Sequence, residues 1–212
     1  MLYGLDIETN TKGRAWPPES GLMTNGERKG LDPRYTHIIS VAVSAEDDVF
    51  FDDGKEADIL RNLNDWFAAR SPGTIVTWNG ANFDIPFLVT RSAKTGVPLD
   101  LRTQVSALRP PKYRICPGHG GGLVAAWGAH DHVDLMYAYK EYAEENGIRQ
   151  GLKPVTAHLG LNPIEVDATQ MELLSKEELR AYNTSDVVVT RKAGELIDLT
   201  PWRDSLILAH AA

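Results

Sequence analysis

Short apolar runs alternate with longer helical periods along the chain. Leu2–Glu8 is a run of buried-strand character that begins almost at the first residue. Residues 37–44 and 48–53 are rich in Val, Ile and Phe, and Ala45-Glu46-Asp47 between them predicts a β-hairpin. Over 55–70 the apolar residues Ile59, Leu60, Leu63, Trp66 and Phe67 recur at helical spacing. Residues 74–78 predict another buried strand. A second helix is expected from about Asn82, as its N-cap, to about Thr95, with Gly96 as its stop. Residues up to Asp134 end a strand, and a helix starts there. Ser175 and Glu178 form a capping-box pattern, expected to open a short helix leading into a long one over about 182–198. Residues 10–36 and 97–130 are rich in Gly and Pro without a period and predict long loops. The order predicts an α/β fold, a mixed β-sheet flanked by α-helices.

Composition narrows the class. A length of 212 residues suits one domain over 1–212. No apolar stretch approaches the 18 or so residues of a membrane span, so no membrane association is expected. The N-terminus lacks the basic and apolar regions of a signal peptide. Cys116 is the only cysteine, which excludes an internal disulfide and makes a cytoplasmic setting the expectation. A net charge of -7 argues against a protein that coats duplex DNA, but not against an enzyme acting on a nucleic-acid end.

Three acidic segments change that picture. Asp6 and Glu8 share one face of the first strand, and two neighbouring carboxylates at a buried strand end need a cation or strong donors. A solvated strand end also explains them when they are taken alone. Asp84 falls in the first turn of the second helix, where it could simply complement the helix dipole. Tyr182 and Asp186 lie one turn apart on one helical face, and Val187, Val188 and Val189 place Asp186 in an apolar stretch. A metal or an unseen Lys or Arg would serve as its partner.

Together, Asp6, Glu8, Asp84 and Asp186 resemble the four acidic residues of the DEDD superfamily of 3′–5′ exonucleases. Residues 6–9 (DIET) resemble its first motif, 79–88 (NGANFDIPFL) its second and 182–186 (YNTSD) its third. Tyr182 matches the tyrosine subclass; the histidine subclass would need His where Ala181 stands. The middle motif is most similar to the proofreading exonuclease domain of family B DNA polymerases, and the similarity extends over about residues 1–200. The resemblance implies an RNase H-like sheet and a stand-alone exonuclease, since 212 residues leave no room for a polymerase. It also implies two Mg²⁺ (or Mn²⁺) ions held by the four carboxylates. Asp6 would bridge the ions, Glu8 and Asp186 would hold the one that activates water, and Asp84 the other. Tyr182 would orient the water.

The implied substrate is the 3′ end of a single-stranded nucleic acid, with DNA favoured over RNA. Asn79 and Phe83 match family positions near the terminal nucleotide, and Phe83 could stack on a base. The acid-free stretch 101–130 carries Arg102, Arg109, Lys112 and Arg114 with Tyr113 and Trp127, a mixture suited to a strand-binding groove. Arg14, Arg28, Lys29 and Arg34 are a second basic group. His130 and His132 invite a zinc reading that only Cys116 or His119 could complete; a solvated edge strand is the alternative. The competing functions are a 3′–5′ exoribonuclease and a non-catalytic nucleic-acid-binding module.

Overall fold

A computed structural model describes residues 1–10, 33–34, 36–105, 122–166 and 173–204. Its frame is a seven-stranded mixed sheet. The strands are β1 (Leu2–Thr9), β2 (Ile38–Ser44), β3 (Val49–Asp52), β4 (Thr74–Thr77), β5 (Leu101–Val105), β6 (Leu123–Trp127) and β7 (His130–Asp134). They lie in the order β3-β2-β1-β4-β7-β6-β5. β1, β4 and β7 run parallel at the centre, and antiparallel hairpins extend the sheet on both sides.

Alternation along β1 sorts its side chains. Tyr3, Leu5 and Ile7 are buried on one face. There they meet Ile59, Leu63 and Phe67 of α1 (Glu56–Ala68) and Phe87 and Leu88 of α2 (Asp84–Thr95). Burying each of these side chains is worth about 1.5–3 kcal/mol. Tyr3 adds edge-to-face contacts with Trp66 and Phe67, at centroid distances of 5.7 and 6.1 Å. The opposite face receives α6 (Lys176–Glu195), which packs on β1, β2 and β4. That approach depends on Gly4: a Cβ there would lie 2.2 Å from the Val187 carbonyl oxygen. Short helices α3 (Leu135–Ala138), α4 (Lys140–Glu145) and α5 (Leu152–His158) follow β7 and complete this layer.

Several expectations are corrected. Residues 97–130 are not irregular throughout, because Leu101–Val105 pairs antiparallel with Leu123–Trp127. Trp127 lies in the core, 4.9 Å from the Phe67 ring, and does not line a groove. Arg102 stands on a strand and donates to the Gly128 carbonyl at 2.9 Å. α6 is one continuous helix, opened by the expected box: Glu178 N donates to Ser175 Oγ at 3.2 Å and Ser175 N to Glu178 Oε2 at 2.8 Å. α2 starts at Asp84 with Phe83 at the cap position, and Asn82 does not cap it. The strand bearing His130 and His132 is interior, and both side chains are buried. His132 pairs with Asp204 at 2.6 Å and His130 Nε2 bonds the Phe67 carbonyl at 3.1 Å, so both have structural partners. Among the described residues no helix is long and apolar enough to cross a membrane.

Candidate active site

The alternation that buries Leu5 and Ile7 turns Asp6 and Glu8 toward α6. α6 answers with Tyr182, Asn183 and Asp186, three positions within about one turn and all buried. One carboxylate oxygen each from Asp6, Glu8 and Asp186 lies within 4.8 Å of the others. Asn183 Nδ2 donates to Asp6 Oδ2 at 2.7 Å, and Ser40 Oγ donates to Asn183 Oδ1 at 3.2 Å. A chain from β2 through α6 therefore fixes one oxygen of Asp6. Asp84 enters from the start of α2, where its Oδ1 accepts the Ile7 amide at 3.0 Å. This bond reaches across the sheet end and ties the second acidic segment to the first.

Electrostatics show how crowded these groups are. Burial, opposed by Lys153 and by the Asn183 hydrogen bond, pushes Asp6 up to about 7. Burial, then the charges of Asp6 and Asp84, drives Glu8 well above the usual carboxylate range. Asp84 is raised in the same way, by burial and then by Asp6, against the Ile7 amide. Asp6 and Glu8 keep a solvent-facing edge, so water moderates these shifts. Burial and then Glu8 and Asp6 lift Tyr182 above its ordinary value.

Lys153, which the sequence pattern does not reveal, sits in the same place. Its ammonium pairs with Asp186 Oδ1 and lies 4.4 Å from the Tyr182 ring centroid. Burial lowers its pKa to about 8, opposed by Asp6, Glu8 and Glu165. Nothing in the surrounding residues, Gly151-Leu-Lys-Pro-Val155, marks this lysine in the sequence. Asn183 and Ser40 escape notice for the same reason: isolated polar residues gain meaning only when α6 crosses β1 and β2.

The turn between β4 and α2 carries the expected substrate contacts. Asn79 is left-handed, with φ 65°. Gly80 is required after it, because a Cβ would lie 2.2 Å from Thr77 Oγ1. Phe83 is half-buried against Phe87, with ring centroids 4.9 Å apart. Arg109, Lys112, Tyr113 and Arg114 lie outside the described residues, as do Arg14, Arg28, Lys29, Cys116 and His119.

The donor set suits a hard divalent cation. The clustered groups are all carboxylates, with no sulfur or imidazole among them, and Mg²⁺ and Mn²⁺ favour oxygen. Carboxylates raised by mutual repulsion and burial gain their charge most readily when a cation balances it.

Comparison with known proteins places the fold. A family model of the RNase_H superfamily matches residues 24–174, and the chain belongs to that superfamily. It is also similar to the catalytic subunits of DNA polymerase epsilon. The identity is 29% over 146 residues with the one from Schizosaccharomyces pombe, covering 67% of this chain. It is 28% over 139 residues, or 64% of the chain, with one from Arabidopsis thaliana. The match spans only 6% of either relative. Among solved structures, the family B DNA polymerase of the archaeon Pyrobaculum calidifontis superposes with a TM-score of 0.66 at 19% identity, over 94% of this chain and 24% of that one. With the family match, that likeness establishes the RNase H-like fold.

Proposed function

We propose that this domain, spanning residues 1–212, is a 3′–5′ exonuclease of the DEDD tyrosine subclass that acts on single-stranded DNA in a reducing, cytoplasmic setting. The observation that carries the proposal is the convergence of Asp6, Glu8 and Asp186 within 4.8 Å, with Asp84 hydrogen-bonded to the strand between the first two. The presence of all four carboxylates together with Tyr182 favours catalysis over a binding module that has lost it. The DNA polymerases among the relatives favour DNA over RNA.

Asp6, Glu8, Asp84 and Asp186 would hold two Mg²⁺ or Mn²⁺ ions. When bound, the ions lower the pKa of the attacking water and balance charge on the oxygens of an in-line displacement. Water then forms a bond to the terminal phosphorus as the bond to the preceding 3′ oxygen breaks. The products are a nucleoside 5′-monophosphate and a chain one residue shorter, ending in a 3′ hydroxyl. The Tyr182 hydroxyl orients the water and stays protonated, since its pKa lies above the usual value near 10. Asn79 and Phe83 receive the terminal nucleotide, joined by Arg109, Lys112 and Arg114.

The test uses 5′-labelled single-stranded DNA and RNA with Mg²⁺, Mn²⁺ or EDTA. A ladder shortening stepwise from the 3′ end, abolished by EDTA and by Asp6→Ala, is the expected result. Faster trimming of RNA would move the assignment to an exoribonuclease. No degradation of either polymer with either metal would overturn it.

A further inference from the structure

We propose that Asp134 is a positioning residue, a buried brace that holds Asn79 in the conformation in which it meets the last nucleotide of a 3′ end. The inference rests on the exonuclease reading for the nature of that ligand, but the brace itself stands on geometry alone.

The chain leaves β4 at Thr77 and must begin α2 at Asp84, so the six residues between cannot satisfy their amides in the sheet or the helix. Asp134 ends β7 directly beside Thr77 in the parallel register and is completely buried. Its Oδ1 accepts the Asn79 amide at 2.8 Å and the Met136 amide at 3.0 Å, and its Oδ2 accepts the Ala81 amide at 3.0 Å. Three main-chain donors thus converge on one carboxylate. That occupancy distinguishes Asp134 from the carboxylates of the acidic cluster, which face one another: it folds a turn and is not a further metal ligand.

The turn needs such a brace. Asn79 holds φ at 65°, a conformation that costs a residue with a Cβ about 1–2 kcal/mol and that Asn accepts better than most. The side chain is organised from the same place. Asn79 Oδ1 accepts from Asn82 Nδ2 at 2.9 Å, and Asn82 Nδ2 also reaches the Tyr137 hydroxyl at 2.9 Å. Tyr137 belongs to α3, the helix that Asp134 caps. Asp134 therefore sets the Asn79 backbone directly and the Asn79 amide through α3. The other edge of that amide is left to a ligand, on a residue that keeps part of its surface exposed.

Asp134→Asn keeps the size of the side chain and turns one acceptor into a donor that faces an N–H. In steady-state trimming of 5′-labelled single-stranded DNA, KM should rise about tenfold while kcat changes by less than about threefold. In an Asn79→Gly background, which keeps the left-handed turn, the same change should raise KM no further. By amide hydrogen exchange, Asn79 and Ala81 should lose protection in Asp134→Asn while Ile75 and Val76 of β4 keep theirs. An unchanged KM with a reduced kcat, an equal rise in KM without the Asn79 side chain, or retained protection at Asn79 and Ala81 would each overturn the brace. Should Asp134→Asn fail to fold, Asp134→Ser, which keeps one short acceptor, takes its place in every arm. A wild-type chain that trims no polymer would sink the exonuclease reading, while the exchange arm would still decide the brace.

Discussion

Lys153 and Asp186 form an ion pair between α5 and α6, inside the ring of carboxylates that would hold the metals. The lysine side chain is 18% exposed and the aspartate 6%, so neither charge is left to solvent. In the metal-free chain the ammonium is the counter-charge of the site. Its own pKa, lowered to about 8, still leaves it mostly protonated at neutral pH.

An internal counter-charge competes with an added one. Lys153→Met should therefore tighten Mg²⁺ binding, seen as a several-fold fall in the Mg²⁺ concentration that half-saturates the thermal shift. The same variant should be destabilised without metal, because Asp186 loses its buried partner, a loss of about 3 kcal/mol for such pairs. Equal or weaker Mg²⁺ binding would remove the competition argument.

On the proposed reading Tyr182 orients the attacking water and keeps its own proton, because burial raises its pKa above the ordinary value. Tyr182→Phe should slow trimming about 10–100-fold while leaving single-stranded DNA binding intact, since the ring still packs beneath Lys153. Rapid-quench cleavage beside fluorescence anisotropy separates the two. Equal rates would exclude the role, and a lost Kd would convert Tyr182 into a binding residue.

The pH dependence follows from Asp6. Its folded pKa of about 7 lies above the ordinary 3.8, so the folded chain binds the proton more tightly than the unfolded one. The stability linked to that proton is fully present below 3.8 and is lost as pH rises through 7. Asp6→Asn has no such charge to bury. Without metal it should melt above the wild type at pH 8, with the gap closing as pH falls toward 5. Scanning fluorimetry of both proteins in EDTA measures this, and a gap that widens on acidification would show the sign to be wrong.

Position along the chain determines what the sequence can reveal. Asp6, Glu8, Tyr182 and Asp186 are legible because strand alternation and a four-residue helical step place them on single faces whatever the tertiary fold. Leu101–Val105 and Leu123–Trp127 are hidden: five-residue strands carry little periodic signal beside Pro98, Pro110, Pro111 and the run Gly120-Gly121-Gly122. His130 and His132 resemble an edge because polar residues usually mark one, yet each has a buried partner, Phe67 of α1 for His130 and Thr77 and Asp204 for His132. Apart from the Met136 amide, the hydrogen-bond partners of the Lys153, Asn183 and Asp134 side chains lie at least 33 residues away, and local pattern does not register such distances.

The last such long-range partner is Asp204, beyond the short 3₁₀ turn Thr200–Trp202. Its Oδ2 accepts from the Ala125 amide at 2.9 Å and meets His132 Nδ1 at 2.6 Å, while its own amide donates to the His132 carbonyl at 2.9 Å. On the far side of the ring, His132 Nε2 bonds Thr77 Oγ1 at 2.9 Å, and that hydroxyl is the floor on which Gly80 rests. A C-terminal residue is thereby linked through one imidazole to the turn that leads to Asp84. Asp204→Ala should cost about 1–3 kcal/mol, because it strips the acceptor from a buried amide and a buried ring nitrogen together. It should also slow trimming beyond the loss of folded protein, since Thr77 is freed to rotate beneath Gly80. Mg²⁺ binding should largely hold, because Asp6, Glu8 and Asp186 sit on β1 and α6 away from this chain of contacts and Asp84 keeps its own bond to the Ile7 amide. Urea unfolding, Mg²⁺-dependent thermal shift and single-turnover trimming test these three expectations. Unchanged stability would show that the segment does not anchor the sheet, and normal trimming by destabilised protein would confine Asp204 to the fold.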